Sequence, residues 1–195
     1  MSKPQLWIVA GPNGSGKSTL VNRYMRASLE VVNPDDIARD QGVSPIQAGK
    51  AALEQQNSFL ASRKSFVLET TLSGKREIPF ASRAKEQGYR IRVAFIAVRD
   101  PGVSMMRVAQ RVAGGGHNVP PADVSRRFSR SVANLPDLVA LADRAFIFDN
   151  SGKRRRLLLS MEKGNAKFVS KRIPSWAQDS INAILRPTKT KTISR

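Results

Sequence analysis

The sequence predicts a three-layer α/β fold in which helices cover both faces of a mostly parallel central sheet. Two observations support this prediction. Short apolar runs with strand character alternate with longer amphipathic segments along the 195 residues, as in proteins built on a parallel sheet. A glycine-rich turn at residues 11–16 also separates the first apolar run from the first helix-like segment. The length suits a single domain.

The predicted elements alternate between strand and helix. Strands are expected at residues 6–10, 30–33, 65–69, 91–98, 145–148 and 157–160. Helices are expected at residues 17–27, 45–62, 75–87, 101–113, 121–142 and 174–185. The fourth strand is almost wholly apolar, as expected of a strand that is covered on both faces. In the second helix, the spacing of Ile46, Leu53 and Leu60 predicts that these three side chains are buried.

A loop that cannot form regular structure interrupts this pattern late in the chain. Residues 114–120 are Gly-Gly-Gly-His-Asn-Val-Pro, a composition that predicts a mobile segment. Arg111 precedes the loop, and Arg126 and Arg127 follow it, so we predict an arginine-flanked lid at about residues 112–127. We therefore expect one domain at 1–186, followed by a basic, disordered tail at 187–195.

The turn between the first strand and the first helix has the spacing of a phosphate-binding loop. The segment Gly-Pro-Asn-Gly-Ser-Gly-Lys-Ser, residues 11–18, matches G-x-x-x-x-G-K-[ST] in full. Its glycines let successive backbone N–H groups point at phosphate oxygens, and the following helix adds its positive end. Lys17 is expected to reach the terminal phosphates, and the Ser18 hydroxyl is expected to coordinate Mg²⁺. The fold is thus predicted to be of the P-loop NTPase/kinase type, with nucleotide-binding residues Gly11, Pro12, Asn13, Gly14, Ser15, Gly16, Lys17, Ser18 and Thr19.

Carboxylates follow the second strand and end the third. Ligands of open parallel sheets bind outside the carboxyl ends of the strands, so Asp35 is placed to accept a proton from a substrate hydroxyl during phosphoryl transfer. Alternatively, Asp35 or Asp36 caps the next helix. Glu69 is expected to bind Mg²⁺ through water or to hold a substrate hydroxyl, unless it is only a solvated charge at a strand end. Thr70 and Thr71 follow it as candidate substrate-binding residues.

The residues around the lid are candidates for charge stabilisation. Arg111, Arg126 and Arg127 are predicted to include at least one arginine that neutralises charge on the transferred group. Each of them, taken alone, is better explained as a surface residue. His117, the only histidine of the chain, is expected either to contact the substrate or to tether the loop.

The composition limits the partners and the location. The net charge is +18, of which +10 comes from residues 151–195. Such a field attracts nucleic acid, nucleotides, phosphorylated substrates or an acidic protein, although a solvated basic surface gives the same composition. No apolar run approaches the length of a membrane span, and no secretory signal or cysteine is present. These features favour a cytoplasmic location without membrane attachment.

Five segments, taken in order, resemble the zeta toxin family of P-loop kinases. They are the phosphate-binding loop and the segments 33–36, 66–71, 111–120 and 148–151, and the likeness runs from about residue 5 to about residue 180. Zeta toxins are small-molecule kinases of toxin–antitoxin systems, and known members phosphorylate UDP-N-acetylglucosamine. The resemblance implies a kinase that uses ATP and Mg²⁺, and an antitoxin protein as a partner.

The resemblance also implies roles for single residues. Lys17 corresponds to the P-loop lysine, Asp35 to the catalytic base and Glu69 to a substrate-binding carboxylate. Arg111 and one of Arg126 or Arg127 would stabilise the transferring phosphoryl group. The leading hypothesis is therefore an ATP- and Mg²⁺-dependent kinase of a small hydroxylated metabolite, such as a UDP-amino sugar.

Two alternatives remain open at the level of sequence. The first is a kinase that acts on nucleic-acid ends, which would need a basic groove leading to Asp35. The second is a nucleotide-gated binding module, which would need no catalytic base.

Overall fold

A seven-stranded sheet forms the centre of the part of the chain that the computed structural model describes, residues 3–114 and 119–186. Its strands lie in the order β2-β3-β1-β4-β5-β6-β7. The first five strands in this order are parallel, and β6 and β7 are antiparallel to their neighbours. The strands are β1 (Gln5–Ala10), β2 (Glu30–Val32), β3 (Phe66–Thr70), β4 (Arg90–Ala97), β5 (Arg144–Asp149), β6 (Arg156–Glu162) and β7 (Asn165–Val169). The mostly parallel sheet is confirmed.

Helices lie on both faces of the sheet. They are α1 (Lys17–Tyr24), α2 (Pro34–Gln41), α3 (Pro45–Ala61), α4 (Glu77–Glu86), α5 (Pro101–Ala113), α6 (Pro121–Ala133), α7 (Leu135–Leu141) and α8 (Ser175–Leu185). Apolar residues of α3, α4, α7 and α8 form the larger core with Ile8 and Phe95. On the opposite face, Leu20 and Val21 of α1 pack against Val9. This arrangement confirms the three-layer α/β prediction.

Two helical predictions need correction. The segment after β2 is itself a helix, α2, and its N-cap is Asn33, whose side chain accepts a hydrogen bond from the Asp35 N–H at 2.9 Å. Neither Asp35 nor Asp36 is therefore the cap. Helix α2 was not predicted because it buries only Ile37 and shows no apolar period. The single helix predicted at 121–142 is instead two helices, which meet at Asn134.

The buried side of α3 also differs from the prediction. Ile46 is 75% exposed, and the buried residues are Ala48, Ala52, Gln56 and Leu60. These four residues recur at every fourth position, so they form one stripe along the helix. The stripe includes the polar Gln56, which is buried with the two alanines.

The last strand was missed because its composition carries no apolar alternation. All five residues of β7 are exposed, and the strand pairs only with β6. Lys163 and Gly164 join the two strands, and both have positive φ angles, 49° and 77°. Two such residues are typical of a tight hairpin turn, so the Lys-Gly pair was the available signal.

The predicted lid lies only partly within the described residues. Val119 is buried against Val108 of α5 and Val124 of α6, and these residues hold the two helices together. Gly115–Asn118, which include His117, and the predicted tail at 187–195 lie outside the described residues.

Candidate active site

A cavity of about 410 Å³ lies at the carboxyl edge of the parallel strands. Segments that follow β1, β2 and β3 line one part of it, and residues of α3, α4, α5 and α6 complete the wall. The predicted residues that line it are Asn13, Gly14, Gly16, Lys17, Ser18, Thr19, Asp35, Glu69, Thr70, Thr71, Arg111 and Arg127. The fold thus brings most of the candidate residues to one place, as expected for an open parallel sheet.

The glycines of the phosphate-binding loop are required by close contacts. A Cβ atom on Gly11 would lie 1.9 Å from the Ile96 carbonyl oxygen, and one on Gly16 would lie 2.6 Å from the Asn150 side-chain nitrogen. Both glycines have positive φ angles, 143° and 98°, which favour glycine. No side chain caps the N-terminus of α1, so its first N–H groups are available to an anion.

Lys17 lies buried at the base of this loop. Its Nζ atom donates a hydrogen bond to the Pro12 carbonyl at 3.0 Å. Burial lowers the pKa of the Lys17 ammonium, while the nearby carboxylates of Glu69 and Asp35 act in the opposite direction. A lysine held among carboxylates in a dry site interacts strongly with any phosphate that enters.

Glu69 pairs with the serine that the motif assigns to magnesium. The Ser18 hydroxyl donates a hydrogen bond to Glu69 Oε1 at 2.6 Å, while Glu69 Oε2 is buried and makes no hydrogen bond. Burial raises the pKa of the Glu69 carboxyl, and the charge of Lys17 opposes this effect. A hydroxyl next to a carboxylate with a spare oxygen is a donor set that suits Mg²⁺, which takes few protein oxygens and keeps several waters.

The two neighbouring aspartates of α2 have different surroundings. Asp35 lines the cavity. Asp36 instead forms ion pairs with Arg26 and Arg39, at 2.5 and 3.1 Å. Its charge is thus paired with two arginines, whereas Asp35 is the aspartate that lines the cavity.

The predicted lid arginines separate in the same way. Arg111 and Arg127 line the cavity, and Arg126 does not. Arg126 is exposed and forms an ion pair with Asp123 at 2.6 Å. Arg107, one helical turn before Arg111, also lines the cavity.

The side of the cavity around Asp35, called the acceptor side below, contains residues that the sequence did not indicate. Asn33, Gln56, Arg76 and Glu77 line this side with Asp35, Thr70 and Thr71. The Thr70 hydroxyl donates to Glu77 at 2.9 Å, and the Thr71 and Ser73 hydroxyls are 2.9 Å apart. The side chain of Asn134 donates to the Leu72 and Gly74 carbonyls, both at 3.0 Å, and so fixes the loop that carries these threonines.

Asn150 is a further residue whose role the sequence did not indicate. Its side chain donates to the Ser15 carbonyl of the phosphate-binding loop at 2.9 Å. Its own carbonyl accepts a hydrogen bond from Arg107 at 2.9 Å. Asn150 therefore connects the loop to helix α5, which carries two of the cavity arginines.

A second cavity, of about 440 Å³, adjoins the phosphate-binding loop at Gly16 and Thr19. Its other lining residues are Arg23, Tyr24, Asn150, Lys153, Arg154 and Arg155. The Arg155 guanidinium lies 5.7 Å from the centre of the Tyr24 ring. An aromatic ring and planar guanidinium groups beside a phosphate site offer stacking surfaces to a planar base.

Helices long and apolar enough to cross a membrane are absent from residues 3–114 and 119–186. Within the same ranges, three or more His, Cys, Asp or Glu side chains are nowhere gathered closely enough to hold a metal.

Comparison with known proteins agrees with this architecture. A sequence model of the AAA domain family matches residues 6–135. An uncharacterized protein of Haemophilus influenzae is 29% identical over 140 residues, which cover 66% of this chain and 100% of that protein.

Two solved structures are similar over almost the whole chain. The AvrRxo1-ORF1:-ORF2 complex with ATP matches with a TM-score of 0.70 and 18% identity, over 93% of this chain and 64% of that chain. The chain thus spans less than two thirds of the AvrRxo1 chain. The PezAT chromosomal toxin–antitoxin system of Streptococcus pneumoniae matches with a TM-score of 0.64 and 15% identity, over 94% of this chain and 85% of that chain. These likenesses confirm the fold class and agree, at the level of the fold, with the resemblance to the zeta toxins.

Proposed function

The chain belongs to the AAA domain family, and from this premise we propose that it is an ATP-dependent kinase that phosphorylates a hydroxyl of a small metabolite. The observation that carries the proposal is the shared cavity, in which Asp35 faces the same space as Lys17 and two lid arginines. A module that only bound nucleotide would have no use for a carboxylate placed there. The ATP complex of the structurally similar AvrRxo1 protein supports the choice of nucleotide.

ATP fits the two adjoining cavities. The phosphates would lie on the glycine loop, against the uncapped start of α1 and the buried Lys17. The base would lie in the second cavity, beside Tyr24 and Arg155. The Asn13 side-chain oxygen is buried without a hydrogen bond, so it is available to the ligand.

Mg²⁺ fits the Ser18–Glu69 pair for a similar reason, because Glu69 Oε2 is a buried oxygen that has no hydrogen-bond partner. These two residues would hold the ion, Ser18 directly and Glu69 through water. The ion supplies positive charge that offsets the negative charge of the phosphates.

The residues of this chain then perform four tasks. Asp35 accepts the proton of the acceptor hydroxyl. At the same time the hydroxyl oxygen forms a bond to the γ-phosphorus of ATP, and the bond between that phosphorus and the ADP oxygen breaks. Lys17 binds the terminal phosphates, and Arg111 and Arg127 stabilise the charge on the transferring group. Thr70 and Thr71 position the acceptor. Closure of the predicted lid would exclude water and so suppress hydrolysis of ATP.

The acceptor is proposed to be a small polar metabolite. On the side of the cavity that Asp35 lines, Asn33, Gln56 and Glu77 are neutral or acidic and Arg76 is basic, whereas a nucleic-acid end would require a mostly basic approach. Amide and hydroxyl groups in this number suit a sugar, and a UDP-amino sugar such as UDP-N-acetylglucosamine is the candidate that the zeta toxin resemblance implies. A toxic activity and an antitoxin partner are proposed on the same ground, supported by the likeness to the PezAT system.

The experiment that tests this proposal identifies the acceptor directly. The protein is incubated with Mg²⁺, γ-labelled ATP and a metabolite extract, and products are separated by mass spectrometry. One or a few compounds should gain a single phosphate with the wild-type protein and should be absent with Asp35→Asn. UDP-N-acetylglucosamine is assayed alone in parallel. Hydrolysis of ATP at the same rate in both proteins, with no phosphorylated product, would contradict the proposal.

A further inference from the structure

One face of the sheet carries an aromatic strip that the active site does not use. Directly paired residues of neighbouring strands point to the same face. Trp7 of β1 pairs with Arg92 of β4, and Phe146 of β5 pairs with Ser160 of β6, which in turn pairs with Phe168 of β7. These side chains lie on the face of α1, opposite the larger core.

Helix α1 covers only part of this face. Its apolar residues pack over Val9 and Val67, at the β1 and β3 side of the sheet. Beyond them, Trp7 and Phe146 remain partly exposed, and Phe168 is 45% exposed. An apolar surface that is left open in this way is typical of a binding site.

Three rings in the strip lie nearly parallel to one another. The Trp7 and Phe146 ring centres are 6.5 Å apart with an interplanar angle of 15°. Phe146 and Phe148 are 6.4 Å apart with an angle of 20°. These nearly parallel pairs differ from the tilted pairs of the larger core, such as Phe59 with Phe66 at 51°.

Guanidinium groups lie over two of these rings. Arg92 lies 5.4 Å from the centre of the Trp7 ring, and Arg155 lies 5.1 Å from that of Phe148. Burial lowers the pKa of the Arg92 guanidinium, and the neighbouring charges of Arg144 and Arg90 lower it further. The acids that act against these charges are Asp143 and Glu162, so three arginines are set against two carboxylates here, in a chain whose net charge is +18.

We propose that this aromatic platform, Trp7, Phe146, Phe148 and Phe168 with Arg92 and Arg155, binds single-stranded nucleic acid. Bases stack on ring faces whatever their sequence, and arginines beside the rings contact the phosphates. Exposed aromatic residues on a sheet serve this purpose in RNA-binding domains. An acidic polypeptide would need the cations but not the parallel rings. Of the platform, only Arg155 lines either cavity described above, so the surface is separate from the acceptor side of the active site.

The test measures binding of fluorescein-labelled twelve-nucleotide oligouridine to the full chain by fluorescence anisotropy, with saturating non-hydrolysable ATP analogue present. Phe146→Ala should weaken binding at least about fivefold, since stacking of one base contributes about 1–3 kcal/mol. Phe168→Ala, on an exposed edge strand where folding is not at risk, should weaken it in the same direction. Arg92→Gln should reduce the slope of log K against log salt by about 1. Lys50→Gln, an exposed charge on α3 on the opposite side of the sheet, is the matched control and should leave the affinity unchanged.

Several outcomes would overturn the proposal. One is that a duplex of the same length binds as tightly as the oligouridine, and another is that polyglutamate displaces the oligouridine as well as unlabelled oligouridine does. The others are that both phenylalanine variants bind the oligouridine as tightly as wild type, or that the ATP analogue displaces it completely. Self-association through the exposed β7 strand, detected by light scattering and abolished by Phe168→Ala, would equally contradict it. A parallel measurement with oligothymidine distinguishes RNA from DNA, and binding of either supports the platform.

Discussion

The phosphate-binding loop takes its groups from nine consecutive residues, Gly11–Thr19, whereas the acceptor side of the cavity takes them from four separate elements. In the loop, backbone conformation does most of the work, and Gly11 and Gly16 are required where a Cβ atom would collide with a neighbour. On the acceptor side, Asn33, Gln56 and Glu77 come from parts of the chain far apart in sequence. A contiguous motif can therefore indicate a site for the phosphates of a nucleotide. The residues that would select the acceptor come together only when distant segments of the chain pack against one another.

This contrast predicts different consequences for binding and for catalysis. Changes in the loop should impair nucleotide affinity and transfer together. Changes on the acceptor side should impair transfer alone, because the nucleotide contacts remain.

The largest effect is expected for Lys17→Ala. The loop loses its buried ammonium, so transfer should fall by about 10³-fold or more, the upper range for loss of one charge-stabilising donor, and ATP affinity should fall with it. Transfer is measured with labelled ATP and affinity by calorimetry. Lys50→Ala, which removes an exposed lysine of α3, is the control. Normal transfer by Lys17→Ala would exclude the proposed site.

The next effect concerns the two adjacent lid arginines. Arg127→Ala should lower transfer by about 10²–10³-fold, because this side chain lines the cavity and would stabilise the developing charge. Arg126→Ala should behave like wild type, because Arg126 is paired with Asp123 outside the cavity. Initial rates at saturating ATP compare the two variants, and a reversed order would show that Arg126, rather than Arg127, acts on the transferring group.

Asp35→Asn tests the acceptor side. Loss of the base should lower transfer by about 10²-fold or more, while ATP affinity stays close to that of wild type. Asp36→Asn is the matched control, since its carboxylate is paired with Arg26 and Arg39. If Asp36→Asn is inactive and Asp35→Asn is not, the base is the second aspartate.

Asn150→Ala should have a smaller effect, on ATP affinity, because Asn150 connects the phosphate-binding loop to α5. It leaves the Ser15 carbonyl without its donor and frees the loop from α5. An unpaired buried acceptor costs about 1–3 kcal/mol, so ATP affinity should fall about tenfold. Asn182→Ala, at an exposed position of α8, is the control. An unchanged affinity for Asn150→Ala would mean that the loop holds its shape without this contact.

The smallest effect is a gain in stability. Because burial raises the pKa of Glu69, its ionised form destabilises the fold at neutral pH, and this penalty disappears as the pH falls below the ordinary carboxyl pKa. Glu69→Gln should therefore raise Tm at pH 7.5 by about 2–4 °C, the shift expected for about 1 kcal/mol in a chain of this size. The difference from wild type should narrow toward pH 4, as followed by circular dichroism. A difference that widened in acid would show that the ionised carboxylate is stabilising.

The sequence indicated the fold class well, because the spacing of apolar residues and the Gly and Pro residues that end helices and strands are local properties of the chain. Its failures occurred where burial was decided by distant partners. Helix α2 buries one residue and β7 buries none, so neither leaves an apolar pattern. The stripe of α3 runs through Ala48 and Gln56, whereas the larger Ile46 faces solvent.

What the sequence determined by itself is the phosphate-binding loop, since its groups are consecutive and its glycines adopt positive φ angles that favour glycine. It also favoured Asp35 over Asp36 as the base, but it gave no basis for choosing between Arg126 and Arg127. Successive residues of a helix point about 100° apart, so only the packing of α2 and α6 decides which member of each pair faces the cavity. The tertiary structure alone likewise brought Asn150 to the loop from 135 residues away, because no spacing in a sequence encodes the meeting of two strand ends.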